Sequence, residues 1–385
     1  MDISTVAGYT THLCVCAIKN KQPQERPRNI AFNSVFDFAN KHMVECSVYR
    51  GIKTLGEKPD DWENWTKHVQ QMSAADIVQQ IEFERICEKF ETDNIGFISV
   101  KGFAVKNCYP STDMRKMSDL DIYVADEEKA HKAMLSLGYE CHSYGTCHHN
   151  AYALKPVMNV EIHKTLTSNE KYAPYFDEMC KSILLRSNSC RGELNPAQQL
   201  EYMVYHTYKH FSGGGCGIRV VFDIYLYSSA HDDYLKNSDI DIRLNNLGLL
   251  KFYKSVMSLG KVWFEDKLPT KLDDKLAQYF YTSGAYGHTK RRAENDAAAE
   301  MNNVNDIKTA RSKAVLKVMF PSVSYMKRVF PYVRKCIVLL PFAYVHRAFR
   351  AVFVNKKTSK LKNAATVSQS AVNDSRELFE ELEIL

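Results

Sequence analysis

Residues 118–124 have the sequence Ser-Asp-Leu-Asp-Ile-Tyr-Val, in which aliphatic residues take every second position. A period of two is typical of a β-strand with one buried face, because successive side chains point to opposite sides of a sheet. Residues 157–163, Val-Met-Asn-Val-Glu-Ile-His, alternate in a similar way. The sequence therefore predicts two strands of one sheet, with Asp119, Asp121 and Glu161 on the face opposite their aliphatic neighbours.

Mixed helix and strand patterning is confined to about 93–167. An apolar, β-branched run ends here at the dipeptide Lys101-Gly102, and Gly138 closes an amphipathic helix. The patterns of this region predict further strands at 95–100, 139–144 and 150–154 and a helix at 126–137. We therefore predict an α+β fold with one small mixed sheet.

Both flanks of this region have the three-to-four-residue apolar spacing of amphipathic helices. The predicted helices span 30–48, 62–90, 195–211, 218–230 and 239–264, and a glycine-rich break interrupts them at 212–217. We divide the chain into five parts: a helical region 1–92, a core 93–190, a helical region 191–305 that closes over the core, a basic segment 306–363, and a linker with an acidic tail 364–385.

The formal net charge of +6 combines two regions of opposite sign. Residues 307–362 contain 14 Lys or Arg and no Asp or Glu, whereas the rest of the chain has 37 basic and 45 acidic residues. Three interpretations of the basic segment stay open: solvated helix faces, contact with a polyanion such as RNA, or contact with an anionic membrane. Its longest apolar run, 336–345, has about half the length needed to cross a bilayer.

The composition favours a folded protein in a reducing compartment. Hydrophobic residues make up 45% and charged residues 25% of the chain, which excludes wholesale disorder or a fibre. The 11 cysteines are odd in number and scattered, which favours free thiols. Residues 1–20 lack the basic-then-apolar order of a secretory signal, so we expect a cytoplasmic location.

The pair Asp119 and Asp121 is the first candidate for chemistry. Residues two apart on a strand point the same way and lie about 6.5–7 Å apart, so two carboxylates there repel each other unless a cation lies between them. Oxygen ligands suit a hard divalent cation, Mg²⁺ or Mn²⁺. With Glu161 as a third carboxylate on a neighbouring strand, the set can hold two metals about 3.5–4 Å apart, the arrangement that assists phosphoryl transfer. The alternative is a pair of solvated surface acids.

Two basic side chains near these acids are candidates for phosphate contacts. Lys101-Gly102 ends a predicted strand just before a short helix, and such a turn exposes backbone N–H groups to a phosphate. The Lys101 ammonium would add a positive charge there. Arg115, four residues before Asp119, is either another phosphate contact or a surface arginine.

The order of these motifs resembles the nucleotidyltransferase superfamily of the DNA polymerase β type. The closer likeness is to a bacterial nucleotidyltransferase-like family with a Lys-Gly turn, an arginine before Asp-x-Asp, and a Glu-x-His strand. It is most specific over 99–163 and extends over most of 30–350. The sequence departs from the superfamily at 101–103, where Lys-Gly-Phe replaces the usual Gly-Ser or Gly-Gly turn.

This resemblance implies a metal-dependent nucleotidyltransferase that moves an NMP from an NTP to a hydroxyl acceptor and releases pyrophosphate. It implies a polymerase β-like core between helical regions, and Mg²⁺ or Mn²⁺ bound by Asp119, Asp121 and Glu161. The residues implied to contact the nucleotide are Lys101, Gly102, Arg115, His206, Lys209, His210 and Arg219. The base stays open, and so does the acceptor, which is a small molecule, a protein, a glycan or RNA.

The helical residues among these have other interpretations. His206 and His210 are four apart on one predicted helix face, a spacing that also suits zinc binding or packing. Arg219 and Asp223 are four apart as well and can pair with each other.

Other classes of site and function also stay open. A cysteine and histidine cluster between strands matches no zinc-finger or zinc-ribbon spacing; its members are Cys141, Cys147, His148 and His149. The alternatives for the whole chain are a catalytically idle nucleotide-binding or regulatory protein of the same fold, and an RNA-end-modifying transferase.

Overall fold

A six-stranded mixed sheet with many surrounding helices confirms the predicted α+β class. The computed structural model describes residues 1–145, 148–187, 189–301, 307–350, 363 and 366–384. Two compact units are formed. The first comprises Met1–Tyr205, Arg219–Leu247 and Val256–Pro269, and the second comprises His206–Ile218, Gly248–Ser255 and Thr270–Leu385. The five-part division of the sequence stays a prediction.

The first unit contains the sheet and the helices around it. Its strands are β1 (Phe97–Val100), β2 (Asp119–Val124), β3 (Glu140–Ser143), β4 (His149–Leu154), β5 (Met158–His163) and β6 (Arg191–Gly192). Its helices are α1 (Val6–Ile18), α2 (Phe32–His42), α3 (Glu45–Lys53), α4 (Trp62–Thr92), α5 (Gly102–Lys106), α6 (Glu127–Ser136) and α7 (Ala173–Arg186). Residues of both units contribute to α8 (Pro196–Ser212) and α12 (Leu250–Phe264), and the first unit also holds α9 (Arg219–Ala230), α10 (Asp232–Lys236) and α11 (Ile240–Asn246).

Strand β2 lies near the centre of the sheet, whose order is β3-β4-β5-β2-β1-β6. It pairs in parallel with β5 and antiparallel with β1, while β4 pairs antiparallel with β5 and β3. The five predicted strands therefore belong to one sheet. The two-residue β6, which pairs with β1, is too short to have a recognisable sequence pattern.

One face of the sheet is buried by helices α4 and α6. The aliphatic residues Leu120, Ile122 and Val124 of β2 join one hydrophobic core with side chains of these helices and of β5. Successive residues of β2 face opposite sides, so Asp119 and Asp121 lie on the other face. The alternation in residues 118–124 thus predicted correctly which side chains enter the core.

Two predicted helices are each divided in the structure by a residue with left-handed backbone. The segment 30–48 forms α2 and α3, because Met43 takes a φ of 60° and ends α2. The segment 239–264 forms α11 and α12, and Gly248 between them has a φ of 70°. Apolar spacing continued across both breaks, which is why the sequence pattern alone predicted one helix in each case.

The second unit is helical in its described residues. It contains α13 (Lys271–Ser283), α14 (Thr289–Met301), α15 (Ile307–Met319), α16 (Val323–Val329), α17 (Pro331–Lys335), α18 (Leu340–Phe349) and a last helix, Gln369–Glu381. Thr270 and Asp273 form a reciprocal capping box at the start of α13. Ala297 and Ala298 of α14 share a core with Val372 of the last helix, since small side chains allow close approach. The predicted acidic tail is thus largely a packed helix.

Two findings concern the cysteines and helices of the described residues. The cysteines of the described residues are free thiols, as the sequence predicted. Within the same described ranges, no helix is both long enough and apolar enough to cross a bilayer.

Candidate active site

The strand pairing places Asp121 and Glu161 side by side on the face that α4 and α6 leave uncovered. They are register partners across the parallel strands β2 and β5, and Asn159 is the partner of Asp119. Asp119 lies two residues before Asp121 on the same face. All three predicted carboxylates therefore belong to one small area of the sheet.

Lys101 directs its side chain to this carboxylate group. Strand β1 ends at Val100, the register partner of Asp121, and Lys101 follows with a φ of 58°, which is unusual for a residue with a side chain. Its Nζ lies 2.7 Å from Asp121 Oδ2 and 5.6 Å from the ring centroid of Tyr202. Gly102 begins α5 with a φ of 26°, so the predicted strand–glycine–helix turn is present.

His163 is a further polar residue at this site that the sequence analysis did not select. Its Nε2 lies 2.8 Å from Asp121 Oδ1 and 3.5 Å from Glu161 Oε2. Burial lowers the pKa of His163, but its hydrogen bonds to Asp121 and Glu161 outweigh burial and raise the pKa above its usual value. His163 lies two residues after Glu161, so the alternation rule that placed Glu161 on this face would have placed His163 there too.

The carboxylates differ in their electrostatic environments. The pKa of Asp119 is raised, first by burial and then by the neighbouring charge of Asp121. The pKa of Glu161 is lowered overall. Burial alone would raise this pKa, but the hydrogen bond with His163 and the charge of His149 outweigh burial. Among the described basic side chains, none lies within ion-pair distance of Asp119. Asp119 is the carboxylate with the least local compensation.

Two groups of ligand atoms in this area are compact enough to hold a metal ion. Asp121, Glu161 and His163 each offer one ligand atom, and these atoms lie within 4.8 Å of one another. The same holds for His148, His149 and His163. A cation would also reduce the repulsion that raises the pKa of Asp119. The donor set therefore fits a divalent metal, with oxygen ligands for Mg²⁺ or Mn²⁺ and nitrogen ligands for a transition metal.

The cysteine and histidine cluster is only partly covered by the described residues. Cys141 is an exposed residue of β3, and Cys147 lies outside the described residues. His149 contacts the carboxylate group, since its Nε2 lies 3.4 Å from Glu161 Oε1.

Arg115 is buried, so the interpretation as a surface arginine is wrong. Its Nε and Nη2 donate to Asp223 at 2.8 and 3.0 Å, and Tyr109 donates to the same carboxylate at 2.7 Å. Among the described residues Asp223 pairs with Arg115 and not with Arg219, so the alternative pairing is wrong. Arg219 Nη1 instead donates to the backbone oxygen of Lys116 at 2.6 Å.

Arg219 still contributes to the electrostatics of the carboxylates. Its charge lowers the pKa of Asp119, against the larger effect of burial. Its Nε is buried and has no hydrogen-bond partner among the described residues. The contacts of Arg115 and Arg219 with a nucleotide stay predictions.

The three predicted residues on α8 belong to the second unit. His206 and His210 contact each other, with 3.1 Å between their Nε2 atoms. Lys209 lies between them in sequence and is half-buried. Contact of these three residues with a nucleotide stays a prediction.

A comparison with protein families identifies the surrounding chain. The model of the family described as "Uncharacterised nucleotidyltransferase" matches residues 29–265, which is more than half of the chain. The protein belongs to this nucleotidyltransferase family. The resemblance drawn from the Lys-Gly, Asp-x-Asp and Glu-x-His motifs is thereby confirmed.

The match to the nucleotidyltransferase family includes all the predicted site residues, from Lys101 to Arg219, and ends well before α15. Comparison with curated proteins and with solved structures gives no match. Family membership alone defines neither a substrate nor an acceptor.

Proposed function

We propose that the protein is a metal-dependent nucleotidyltransferase, which transfers an NMP from an NTP to a hydroxyl acceptor and releases pyrophosphate. One observation carries this proposal: Asp121 and Glu161 are register partners, and Asp119 shares their face of the sheet. Three carboxylates close together on the sheet face opposite the α4 and α6 core, with Asp121 buried, carry a cost in repulsion and desolvation. A divalent cation bound between the carboxylates would reduce this repulsion, and the same cation can assist phosphoryl transfer.

In this proposal Asp119, Asp121 and Glu161 hold Mg²⁺ or Mn²⁺. When bound, the metal supplies Lewis acidity at the phosphates and lowers the pKa of the acceptor hydroxyl. The remaining steps belong to the protein, whose carboxylates orient the reacting groups and keep a compact, partly dehydrated site.

Lys101 and Gly102 have a distinct role in the proposal. The ammonium of Lys101 neutralises Asp121 when no nucleotide is bound, because the two groups are 2.7 Å apart. On nucleotide binding Lys101 releases Asp121 and pairs with the triphosphate, while the Gly102 turn lies beside the phosphates. We propose that Arg115 and Arg219 add positive charge behind the carboxylates, and that His206, Lys209 and His210 contact the nucleotide or the acceptor.

The five parts of the chain have corresponding roles in this proposal. Residues 93–190 form a polymerase β-like core, and 191–305 form a helical region that packs on the active site. The helical region 1–92 flanks the core, and 306–363 and 364–385 are the basic segment and the tail.

The activity can be tested with the full chain. The protein is incubated with each labelled NTP in turn, with Mg²⁺ or Mn²⁺ and a cell extract that supplies acceptors. We expect one or more labelled products and a matching release of pyrophosphate. The proposal would be contradicted if no labelled product and no pyrophosphate were formed with any of the NTPs.

Replacing Lys101 tests its proposed exchange between Asp121 and the triphosphate. In Lys101→Met the ammonium no longer competes with a divalent cation for Asp121, so we expect Mn²⁺ to bind about tenfold more tightly in the absence of nucleotide. Nucleotide binding should weaken in the same variant. Mn²⁺ titration followed by electron paramagnetic resonance, and calorimetry with NTP, measure the two effects.

Lys132→Met is the matched control for this change, because Lys132 pairs with Glu128 in an exposed i, i+4 pair on α6. It should leave both affinities unchanged. Weaker Mn²⁺ binding to Lys101→Met would show that Lys101 supports the metal site instead of competing with the metal.

A second candidate function is nucleotide binding without turnover. It is favoured by the fact that Lys101 and His163 both contact Asp121 in the structure. Tight binding of Mn²⁺ and NTP without release of pyrophosphate would favour this candidate over the transferase.

A further inference from the structure

The helix α18 in the second unit presents large apolar side chains to solvent. Phe342, Val345 and Phe349 are 70%, 69% and 56% exposed, and Val338 just before the helix is 77% exposed. About half of the large apolar residues that are exposed in the described chain lie between 316 and 349. Such a concentration marks an interaction surface, because single exposed apolar residues are normally scattered.

The exposed residues form one stripe along α18. Phe342, Val345 and Phe349 follow the spacing i, i+3 and i+7, which keeps them on one side of this helix. The opposite side packs inward, where Ala343 is buried against Met326, Phe330 and Val333. The helix therefore has apolar residues on both its inner and its outer side, and this small core packs against the inner side.

The charge around the stripe is positive. Arg334 and Lys335 precede it and Arg350 follows it, all three exposed. From 307 to 362 the sequence contains no acidic residue. An apolar stripe with basic neighbours is complementary to a surface that is both apolar and anionic, which describes the headgroup region of a membrane with acidic lipids.

We infer that residues 337–350 are a docking surface for an anionic lipid bilayer. Helix α18 has ten residues and is about 15 Å long, half the thickness of the hydrocarbon core, so it lies along the membrane surface. Phe342, Val345 and Phe349 enter the interface, and the basic side chains contact lipid phosphates. An RNA would use the charges but leave the apolar stripe exposed. This inference does not depend on the proposed transferase activity.

Vesicle flotation with the full-length protein tests the inference. The vesicles contain phosphatidylcholine alone, or phosphatidylcholine with about one third phosphatidylglycerol. We expect the protein to float with the anionic vesicles only, and less so as salt is raised. Phe342→Glu/Val345→Glu should lower the bound fraction at least about tenfold, because two apolar contacts are lost and two negative charges are added.

Leu185→Glu/Ile242→Glu is the matched control. Both residues are exposed, at 86% and 66%, and lie in the first unit. Two apolar residues are again replaced by glutamate, so the change in net charge is the same as in Phe342→Glu/Val345→Glu. This variant should float like the parent protein, and melting curves of both variants should match it.

Three results would overturn the inference. The first is parent protein that floats with neither type of vesicle, and the second is a Phe342→Glu/Val345→Glu variant that floats normally. The third is a parent protein that elutes as a dimer, which the same variant dissociates without any effect on flotation. That result would assign the stripe to a second copy of the chain.

Discussion

Asp121→Asn is expected to lower nucleotidyl transfer by about a hundredfold to a thousandfold. Asparagine has the same shape, but it removes a full charge from the carboxylate that contacts Lys101 and His163 and is the register partner of Glu161. The variant should also bind Mn²⁺ more weakly, because an amide is a poor replacement for a carboxylate ligand. Pyrophosphate release with the preferred NTP measures the first effect, and Mn²⁺ titration the second.

Asp126→Asn provides the control for this substitution. Asp126 caps α6 by accepting hydrogen bonds from the backbone N–H groups of Glu128 and Lys129, and asparagine caps helices equally well. It should retain activity, metal binding and stability. An Asp121→Asn protein with undiminished activity would remove this residue from the catalytic assignment.

Arg115→Met is expected to destabilise the first unit by about 3–5 kcal/mol. The Arg115 and Asp223 side chains are only 10% and 9% exposed, and the two N–H···O bonds between them are the strong, bidentate type. Removing the guanidinium leaves the Asp223 charge buried, with the hydrogen bond from Tyr109 as its remaining one among the described residues. Urea unfolding, followed by circular dichroism, measures the loss.

The stability cost of Arg115→Met is compared with that of breaking an exposed ion pair. Arg376→Met removes a pair with Glu380 on the last helix, where both side chains are more than a third exposed, and it should cost less than about 1 kcal/mol. Arg115→Met/Asp223→Leu should recover part of the lost stability, because no unpaired charge stays buried. Equal costs for the two arginines would contradict the structural role of Arg115.

The strand assignments could be made from the sequence because their determinants are local. In 119–124 and 158–163, each apolar aliphatic or methionine residue is separated from the next by a polar or aromatic residue. The pleat of a strand converts that order into an aliphatic face and a polar face. The same rule assigned Asp119, Asp121 and Glu161 to the face opposite the aliphatic residues. Applied two residues further, to His163, it would have completed the carboxylate group.

The helix breaks and the partner of Arg115 could not be predicted in this way. Apolar spacing passes through Met43 and Gly248 without interruption, although both residues take a left-handed backbone that ends the helix. Arg219 is four residues from Asp223, so local spacing favoured that pair. The structure instead brings in Arg115, which is 108 residues from Asp223 in the chain.

The sequence by itself determined the α+β class, the family, and the side of the sheet on which the acidic residues lie. These properties follow from alternation and short motifs, whose physical origin is the geometry of a single strand or turn. Only the tertiary structure decided that Asp121 meets Glu161, Lys101 and His163, that Arg115 is buried against Asp223, and that α18 leaves an apolar stripe exposed. Those outcomes depend on strand register and helix packing, which join residues far apart in the chain.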